Sequence, residues 1–499
     1  MLIFLARYFH HRSLAISAPF PYWKRGGAVL IGACLIGLCI FGIRGRTGYN
    51  PIKVSAAYFC QDAFLNQLGV SPTFNLLTSV MDDMRPENKY LHLMDEQEAI
   101  TKAQALLNRP GDANVSPLAV YRRAAKADSV QQRRPNVVLI MMESMSAEFM
   151  KHFGQSETLT PFLDSLYTRS ISFRNFYSAG IHTNHGLYAT LYSFPAMMKR
   201  NLMKGSVIPR YSGLPTVLKE NGYYNLFFMT HAGQYDNMNA FFRTNGYDEV
   251  FSQEDYPADK VVNSFGVQDD FLYDYAIPVL NQRAATGQPF FATLLSISNH
   301  PPYVIPPFFH PKTSEPETQI VEYADWALRQ FFEEARKQPW FDNTIFVLEG
   351  DHGKLVGDAE CELPESYNHI PLMIYSSRIQ PEEKTTFGGQ VDIQPTILGL
   401  LNIDYLQNNF GVDLLKEERP CMFYTADNMV VGRNDTLLYL YNYETQQELT
   451  YDIGNGKLNA VPMDDSFLPL KEYSFSMLQS AEFLVKHGKT LNSIPFTQQ

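Results

Sequence analysis

The chain has 499 residues, more than one typical domain needs, and its hydrophobic fraction of 45% is enough for a substantial core. The formal net charge of −11 provides no basic surface, so a nucleic-acid partner is not expected. The 29 Tyr and 35 Phe residues most commonly fill a core, and the alternative is a cleft for a sugar or a lipid headgroup.

The first element along the chain is an uncharged apolar run, Gly26–Ile43, with basic residues before and after it (Lys24, Arg25, Arg44 and Arg46). Its length of about 18 residues is at the low end for a membrane span. A signal peptide is the competing interpretation, but the run is long and no clear small-residue cleavage site follows it. The pattern favours a retained anchor. Because both flanks are basic, charge does not orient it.

Residues 49–134 connect this run to the next domain. Ser55–Leu68 and Asp95–Leu107 place apolar residues at three- and four-residue spacings, which predicts helices, and polar Lys126–Arg134 follows them. The large apolar residues in this region, such as Phe64, argue against a disordered tether. The region is interpreted as a helical stalk that packs on the domain after it.

From residue 135 onward apolar runs alternate with helical patterns, which predicts βαβ units and a mostly parallel sheet. The predicted strands are Val137–Met142, Tyr224–Met229, Phe290–Ser296, Thr344–Leu348 and Pro371–Tyr375. The predicted helices are Pro161–Ser170, Leu214–Asn221, Gln268–Gln282 and Ile320–Lys337. After residue 401 the pattern changes to short strands (Thr436–Asn442 and Glu448–Ile453) and a closing helix, Phe467–His487. We therefore expect an α/β core over 135–400 and a small C-terminal α+β subdomain over 401–499.

Two predicted strands end in side chains that bind metals. Glu143 follows one strand directly, and Asp351 and His352 come directly after the glycine, Gly350, at which another strand stops. In open parallel sheets ligands bind outside the carboxyl ends of the strands, and oxygen with nitrogen ligands suits Zn²⁺ or Mn²⁺. A Glu at a strand end is costly to bury unless a cation meets it. The alternative for Asp351 and His352 is a turn with a helix cap and a surface imidazole.

Thr183 is the candidate nucleophile. It lies in a polar loop, Ile181–Gly186, before an apolar run, and helix N-termini favour phosphoryl anions. Thr160 and Thr190 are the alternatives. Thr160 precedes a proline and is better interpreted as a helix N-cap. Thr190 lies inside a helix-like run, where its hydroxyl is expected to bond to a carbonyl four residues earlier.

The ordered set of Glu143, Thr183, Asp351 and His352, with Ser298-Asn-His300 between them, resembles the lipoteichoic acid synthase and phosphoglycerol transferase group of the alkaline phosphatase/sulfatase superfamily. The other matching pieces are Thr160-Pro-Phe-Leu163, Asn245-Gly-Tyr-Asp248, His369-Ile-Pro-Leu372 and Gln390-Val-Asp-Ile-Gln-Pro-Thr396. The resemblance implies that Glu143, Thr183, Asp351 and His352 hold one divalent ion. That ion is usually Mn²⁺, with Zn²⁺ or Mg²⁺ as alternatives. It also implies that Thr183 is the nucleophile.

The same resemblance supplies candidates for substrate binding. His300 stands in the family's Ser-Asn-His context, where the histidine binds substrate. His185 and His369 are further candidates, and His182 and His231 stay open between functional and structural roles.

One segment departs from the family. Lipoteichoic acid synthases have a Phe-Trp-Asn-Arg motif whose Trp and Arg hold the glycerol phosphate. The matching positions here are Tyr235, Asp236, Asn237 and Met238, so the Arg is absent. Asp236 and Asn237 are the candidates at this place. This version looks closer to phosphoglycerol transferases that decorate periplasmic glucans.

The resemblance implies transfer of a phospho-headgroup from a phospholipid donor such as phosphatidylglycerol to a hydroxyl acceptor, through a phospho-threonine intermediate. It places residues 1–48 as a cytoplasmic tail and anchor in a bacterial cytoplasmic (inner) membrane, with the catalytic domain outside. Relatives usually carry several spans, so this chain is expected to be a shortened version or to continue before Met1.

Three other functions are considered. A sulfatase needs a Cys or Ser within Cys/Ser-x-Pro-x-Arg, and Thr183-Asn-His-Gly-Leu187 is not that motif. A phosphoethanolamine transferase would use the same threonine chemistry but usually carries several disulfides; here a Cys361–Cys421 bridge and two free thiols are equally compatible with the sequence. A non-catalytic, lipid-sensing homologue would not need the intact ligand set.

Overall fold

The structure, a computed structural model, describes residue 7 and residues 22–46, 51–60, 63–85, 88–123, 134–205, 208–454 and 456–491. The chain forms two compact units, Met1–Lys53 and Val54–Gln499. Apart from Arg7 the predicted cytoplasmic tail up to residue 21 lies outside the described residues, and so does the polar stretch before the first core strand, apart from Arg134.

In chain order the helices are α1 (Tyr22–Arg44), α2 (Ala63–Leu68), α3 (Pro72–Asp83), α4 (Glu96–Leu107), α5 (Pro161–Tyr167), α6 (Thr183–Tyr192), α7 (Leu214–Glu220), α8 (Met238–Thr244), α9 (Asp269–Ala284), α10 (Pro316–Ala335), α11 (Ile393–Leu400) and α12 (Leu468–Lys486). The strands are β1 (Val120–Arg122), β2 (Asn136–Met142), β3 (Ile171–Tyr177), β4 (Tyr224–Met229), β5 (Glu249–Phe251), β6 (Phe290–Leu295), β7 (Thr344–Gly350), β8 (Leu372–Tyr375), β9 (Glu382–Gly389), β10 (Tyr405–Gln407), β11 (Met422–Thr425), β12 (Met429–Arg433), β13 (Leu437–Asn442), β14 (Gln447–Asp452) and β15 (Asn459–Ala460).

In the first unit, α1 contains the predicted anchor. Its segment Gly26–Arg44 has a mean hydropathy of 2.4 and none of its most apolar stretch is buried in the protein. By length and composition this helix can cross a membrane.

The second unit is built on an eight-stranded sheet with the order β5-β4-β6-β2-β7-β8-β3-β9. Every neighbouring pair is parallel except the two pairs that β8 makes, which are antiparallel. Alternate residues of β2 enter two different cores. Leu139 belongs to the core that also contains residues of α6, α7, α8, α11 and α12, whereas Ile140 belongs to the core that contains residues of α5, α9 and α10. This period of two places helices on both faces of the sheet, as predicted.

The predicted core elements all occur, with ends that differ by at most four residues. Three strands of this sheet, β3, β5 and β9, were not predicted. The sequences of β3 and β9 mix polar and apolar residues, and β5 has only three residues. The predicted loop at residues 183–186 is wrong in part, since these residues form the first turn of α6. Of the predicted linker helices, α4 occurs and packs against α12, whereas 55–68 divides into the 3-10 turn Val54–Ala57 and α2.

The C-terminal part forms an antiparallel sheet of five strands, β11 to β15, in sequence order, and α12 packs against β11 and β12. Cys361 and Cys421 are free thiols in this structure.

Two expectations about threonines are corrected. Thr160 occupies the N-cap position of α5, but its side chain makes no cap hydrogen bond. The carboxylate of Asp325 accepts hydrogen bonds from the amides of Phe162 and Leu163 at 2.9 Å each instead. Thr190 does not bond back to a helix carbonyl, because its Oγ1 donates to Oε1 of Glu349 at 2.6 Å.

A buried ion pair joins the main sheet to the segment that leads into the C-terminal strands. Arg419 and Asp392 are both fully buried; Nε of Arg419 lies 2.8 Å from Oδ2 of Asp392. The same carboxylate accepts hydrogen bonds from the amides of Gly389 and Val412. Removal of the arginine would therefore leave an unpaired charge in the core.

We expect Arg419→Ala to lower the free energy of unfolding by about 3–5 kcal/mol, because breaking a buried pair leaves an uncompensated charge. Urea denaturation of the full chain followed by tryptophan fluorescence measures it. The control is Arg329→Ala, which breaks a pair with Glu333 in which both side chains are exposed and should cost at most about 1 kcal/mol. Equal losses in the two variants would contradict the prediction.

Candidate metal centre

The parallel pairing of β2 with β7 places the predicted ligands next to each other. Met142 pairs with Gly350 at the carboxyl ends of the strands, so the next residues, Glu143 and Asp351, leave the sheet side by side. The amide of Asp351 still donates to the carbonyl oxygen of Met142 at 3.0 Å, which continues the ladder by one residue. The structure thus brings together Glu143, Asp351 and His352, with ligand atoms all within 4.8 Å of one another.

Both carboxylates are buried, and most of their oxygens accept hydrogen bonds. Oδ1 of Asp351 accepts from the amides of Ser144 and His352 at 2.8 and 2.7 Å. Oε1 of Glu143 accepts from Oγ of Ser144 at 2.7 Å. Burial, followed by the charge of Asp351, raises the pKa of Glu143 well above its ordinary value. The arrangement is therefore unfavourable for two negative charges alone.

The residues present fit a divalent cation. Oδ2 of Asp351 is buried and has no hydrogen-bond partner. Nδ1 of His352 lies 2.8 Å from the carbonyl oxygen of Gly353, which assigns the hydrogen to Nδ1 and directs the Nε2 lone pair toward the carboxylates of Glu143 and Asp351, 3.7 Å from each. A buried acceptor without a donor and an imidazole lone pair at the same place are the donor set that Mn²⁺ or Zn²⁺ uses.

Thr183 begins α6 beside this group. Its Oγ1 donates to Oε2 of Glu143 at 3.4 Å, and the side chain is only partly buried. The helix lies directly against the strand end that carries Asp351. A Cβ added at Gly186 would lie 2.2 Å from the carbonyl oxygen of Asp351. Gly186 is therefore required for this close approach of helix and strand end.

A backbone outlier follows Glu143. Ser144 has φ of 49°, a left-handed conformation that is costly for a residue with a side chain. In this conformation its amide reaches Asp351 and its hydroxyl reaches Glu143. The strained residue therefore links the two carboxylates.

A cleft of about 860 Å³ opens over Thr183, Glu143 and His352. Its wall combines basic, acidic and aromatic side chains. The side chains that line the cleft include Asn184, Lys199, Lys204, Tyr235, Asp236, His300, Tyr303, Glu317 and Lys354.

Two of the predicted substrate residues line this cleft. His300 is partly buried, its Nδ1 lies 2.6 Å from the carbonyl oxygen of Pro301, and burial lowers its pKa. Asp236 also lines the cleft and pairs with Lys204. Their places are compatible with substrate contact, which stays a prediction.

The other three candidates are not among the residues that line the cleft. His185 is fully buried behind His182, and burial lowers its pKa well below the ordinary value. His369 is bonded through Nδ1 to Glu148 and through Nε2 to the carbonyl oxygen of Arg174. Asn237 donates to a backbone carbonyl. His369 and Asn237 are thus held by hydrogen bonds and His185 by ring packing, and a substrate role for these three stays a prediction. Two histidines were left undecided by the sequence. His182 lines the cleft, whereas His231 is buried.

Lys354 is a cleft residue that the sequence did not single out. Its Nζ donates to Oδ1 of Asn299 at 2.6 Å and to the hydroxyl of Tyr303 at 3.2 Å. Asn299 in turn donates to the carbonyl oxygens of Glu143 and Ser144. Lys354 lies three residues after Asp351, in the same loop after the strand, and this position is the sequence signal that could have identified it. Lys199 and Lys204 have no such local signal.

Comparison with known proteins gives consistent relatives. Residues 135–403 match the protein family described as Sulfatase. Lipoteichoic acid synthase 1 of Bacillus subtilis (strain 168) is 25% identical over 350 residues, which are 64% of this chain and 53% of that protein. The lipoteichoic acid synthase of Staphylococcus saprophyticus is 24% identical over 367 residues, 66% and 54% of the two chains. The chain thus spans about half the length of these curated relatives.

Solved structures show the fold. A protein in the alkaline phosphatase superfamily from Vibrio parahaemolyticus matches with a TM-score of 0.70 and 26% identity, over 81% of this chain and 99% of that one. The lipoteichoic acid synthase LtaP from Listeria monocytogenes matches with a TM-score of 0.61 and 21% identity, over 70% and 92%. The predicted fold, that of the alkaline phosphatase superfamily, is confirmed.

The cluster of Glu143, Asp351 and His352 predicts that the protein binds one metal ion. We expect the full chain, purified with added Mn²⁺ or Zn²⁺, to bind one ion, and Asp351→Ala to abolish binding because it removes the orphaned buried oxygen. Elemental analysis measures the content, and circular dichroism monitors folding. The exposed carboxylate variant Asp358→Ala is the control and should keep the ion. A wild-type chain without either metal would contradict the site.

The pair of His369 and Glu148 is expected to make the stability of the protein depend on pH. Burial acts to lower the pKa of His369, but the Glu148 carboxylate outweighs it, so the pKa is raised. A raised folded pKa stabilises the protein fully below the ordinary imidazole value of about 6.5, and this stabilisation is lost as pH rises through the folded value. We expect the free energy of unfolding to fall across that window.

Urea denaturation between about pH 5.5 and 8.5 measures this change, a range that brackets the ordinary imidazole pKa. In His369→Gln the decrease should largely disappear, and Glu148→Gln should flatten the profile in the same way. An unaltered profile in both variants would show that this pair is not its source.

Proposed function

The chain belongs to the sulfatase family, and we propose that it is a metal-dependent transferase that moves a phospho-headgroup from a phospholipid to a hydroxyl acceptor. The observation that supports this most is the hydroxyl of Thr183 at the start of α6, in hydrogen-bond contact with Glu143 and open to the cleft. Relatives named lipoteichoic acid synthases support a phosphoglycerol headgroup and a phosphatidylglycerol-like donor.

In this proposal Glu143, Asp351 and His352 hold one divalent ion together with Thr183, and Mn²⁺ is the proposed metal. When bound, the ion would supply positive charge that stabilises the phosphoryl oxygens and the threonine alkoxide. The N-terminus of α6 adds the partial positive charge of its free amides on the same side.

The first half-reaction uses residues on the cleft floor. Oγ1 of Thr183 attacks phosphorus, a new P–O bond forms, and the bond between phosphorus and the diacylglycerol oxygen breaks. Oε2 of Glu143 accepts the hydrogen bond of the Thr183 hydroxyl and so lies where its proton leaves. The diacylglycerol oxygen takes up a proton from solvent in the open cleft and departs, the proton of Thr183 stays on Glu143, and the headgroup phosphate stays on Thr183.

The second half-reaction restores the enzyme. The hydroxyl of the acceptor attacks phosphorus and loses its proton to solvent, the bond to Oγ1 of Thr183 breaks, and Thr183 regains its proton from Glu143. His300 and Lys354 lie in the cleft wall, where an imidazole and an ammonium can contact phosphoryl oxygens. A site near lipid headgroups agrees with a helix that can span a membrane, and we propose that the catalytic unit lies on the extracytoplasmic side.

A sulfatase mechanism is not proposed, because formylglycine arises from Cys or Ser and this position is Thr183. A threonine nucleophile agrees with phosphoryl transfer through a covalent intermediate.

We expect Thr183→Ala to lower turnover by about 10³-fold or more, since it removes the nucleophile, while the fold is kept. The assay incubates the full chain with labelled phosphatidylglycerol and identifies the products and a trapped phospho-adduct by mass spectrometry. Thr183→Ser is the matched variant: it keeps a hydroxyl and should keep a measurable adduct at position 183. An adduct on another residue, or full activity in Thr183→Ala, would reject the mechanism.

A further inference from the structure

One wall of the cleft carries a cation that is held by an acidic residue. Nζ of Lys204 lies 2.8 Å from Oδ1 of Asp236, and Nδ2 of Asn184 donates to Oδ2 of the same carboxylate at 3.2 Å. All three residues line the cleft. Asp236 therefore connects Lys204 to the residue directly after the proposed nucleophile, Thr183.

The backbone beneath this pair is strained. Asp236 and Asn237 have φ of 45° and 67°, two consecutive left-handed conformations that are costly for residues other than glycine. Nδ2 of Asn237 donates to the carbonyl oxygen of Met203 at 3.0 Å. The turn thus fixes the segment of Lys204 at two adjacent residues, through a backbone bond at 203 and an ion pair at 204.

The charges on this wall cancel internally. Burial acts to raise the pKa of Asp236, but Lys204 outweighs it, so the pKa is below its ordinary value and the group is a carboxylate. A lone carboxylate here would attract an ammonium group from a substrate. Because Lys204 is paired with Asp236, it cancels the attraction of this carboxylate for a substrate ammonium group. A substrate ammonium group would also be repelled by the charge of Lys204 at short range.

We propose that the Lys204–Asp236 pair selects the charge of the transferred headgroup. It admits an uncharged, hydroxyl-bearing headgroup such as glycerol and disfavours an ammonium-bearing one such as ethanolamine. The hydroxyls of glycerol can donate to the carboxylate of Asp236, which has further acceptor capacity, without displacing Lys204. This inference rests on the proposed function, because it concerns the headgroup that is transferred beside Thr183.

The test measures headgroup choice in one reaction. The full chain is reconstituted in vesicles with equal phosphatidylglycerol and phosphatidylethanolamine, and mass spectrometry gives the ratio of phosphoglycerol to phosphoethanolamine products. Lys204→Ala leaves Asp236 as an unpaired negative charge, so we expect the ratio to fall about fivefold. Larger changes are not expected, since the lysine side chain is 46% exposed and solvent screens it.

Matched variants separate this pair from a general charge effect. Lys199→Ala removes a lysine from the same wall that pairs with Glu444 instead, so the ratio should stay near that of the wild type. Lys204→Arg keeps the cation and should keep the ratio. The double variant Lys204→Ala/Asp236→Asn removes both charges and should return the ratio toward the wild-type value. Lys204→Gln repeats the test with a side chain of similar length.

The outcomes distinguish this inference from the function on which it rests. Transfer with an unchanged ratio in Lys204→Ala and Lys204→Gln overturns the selection by charge and leaves the transferase intact. An equal shift in Lys199→Ala, or a wild type that uses both lipids equally, does the same. Transfer from neither lipid in the wild type overturns the proposed function and this inference together.

Discussion

The site depends on two carboxylates that the parallel register of β2 and β7 forces into one buried place. Glu143 and Asp351 are nearly inaccessible to water, and burial with mutual repulsion raises the pKa of Glu143. Ser144 contributes an amide and a hydroxyl to them at the cost of a left-handed backbone. One oxygen of Asp351 and the lone pair of His352 accept no hydrogen bond from these donors, and a bound cation would interact with both.

The same strand end also fixes the nucleophile. Gly186 lets α6 approach the backbone of Asp351 closely, and Gln390 donates to the carbonyl oxygen of Asp351 while accepting from the amide of Ala179. One turn further along, Thr190 bonds to Glu349 of β7. The end of β7 thus contacts the helix of Thr183 and carries Asp351 and His352, so a displacement of this strand would move Thr183 together with these two residues.

The strands and ligands could be predicted from the sequence because they rest on local patterns: an apolar run that ends in a carboxylate is visible without a partner. The helix start at Thr183 was only partly predicted, since residues 183–186 are polar and their place follows from packing at Gly186. His369 shows what a local pattern does not reveal. It precedes a core strand, but its two ring nitrogens are both used by Glu148 and Arg174, which no local pattern reveals.

Asp236 and Asp351 differ in whether the chain itself supplies a cation. Oδ2 of Asp351 has no hydrogen-bond partner and lies 3.7 Å from Nε2 of His352, so a cation at this oxygen would have to come from solution. Asp236 pairs with Lys204 of the same chain, and the adjacent Asn237 donates to the carbonyl oxygen of Met203, the residue before that lysine. Both positions are acidic in the sequence, but only the tertiary contacts show that Asp236 is already paired with a lysine whereas Oδ2 of Asp351 is not.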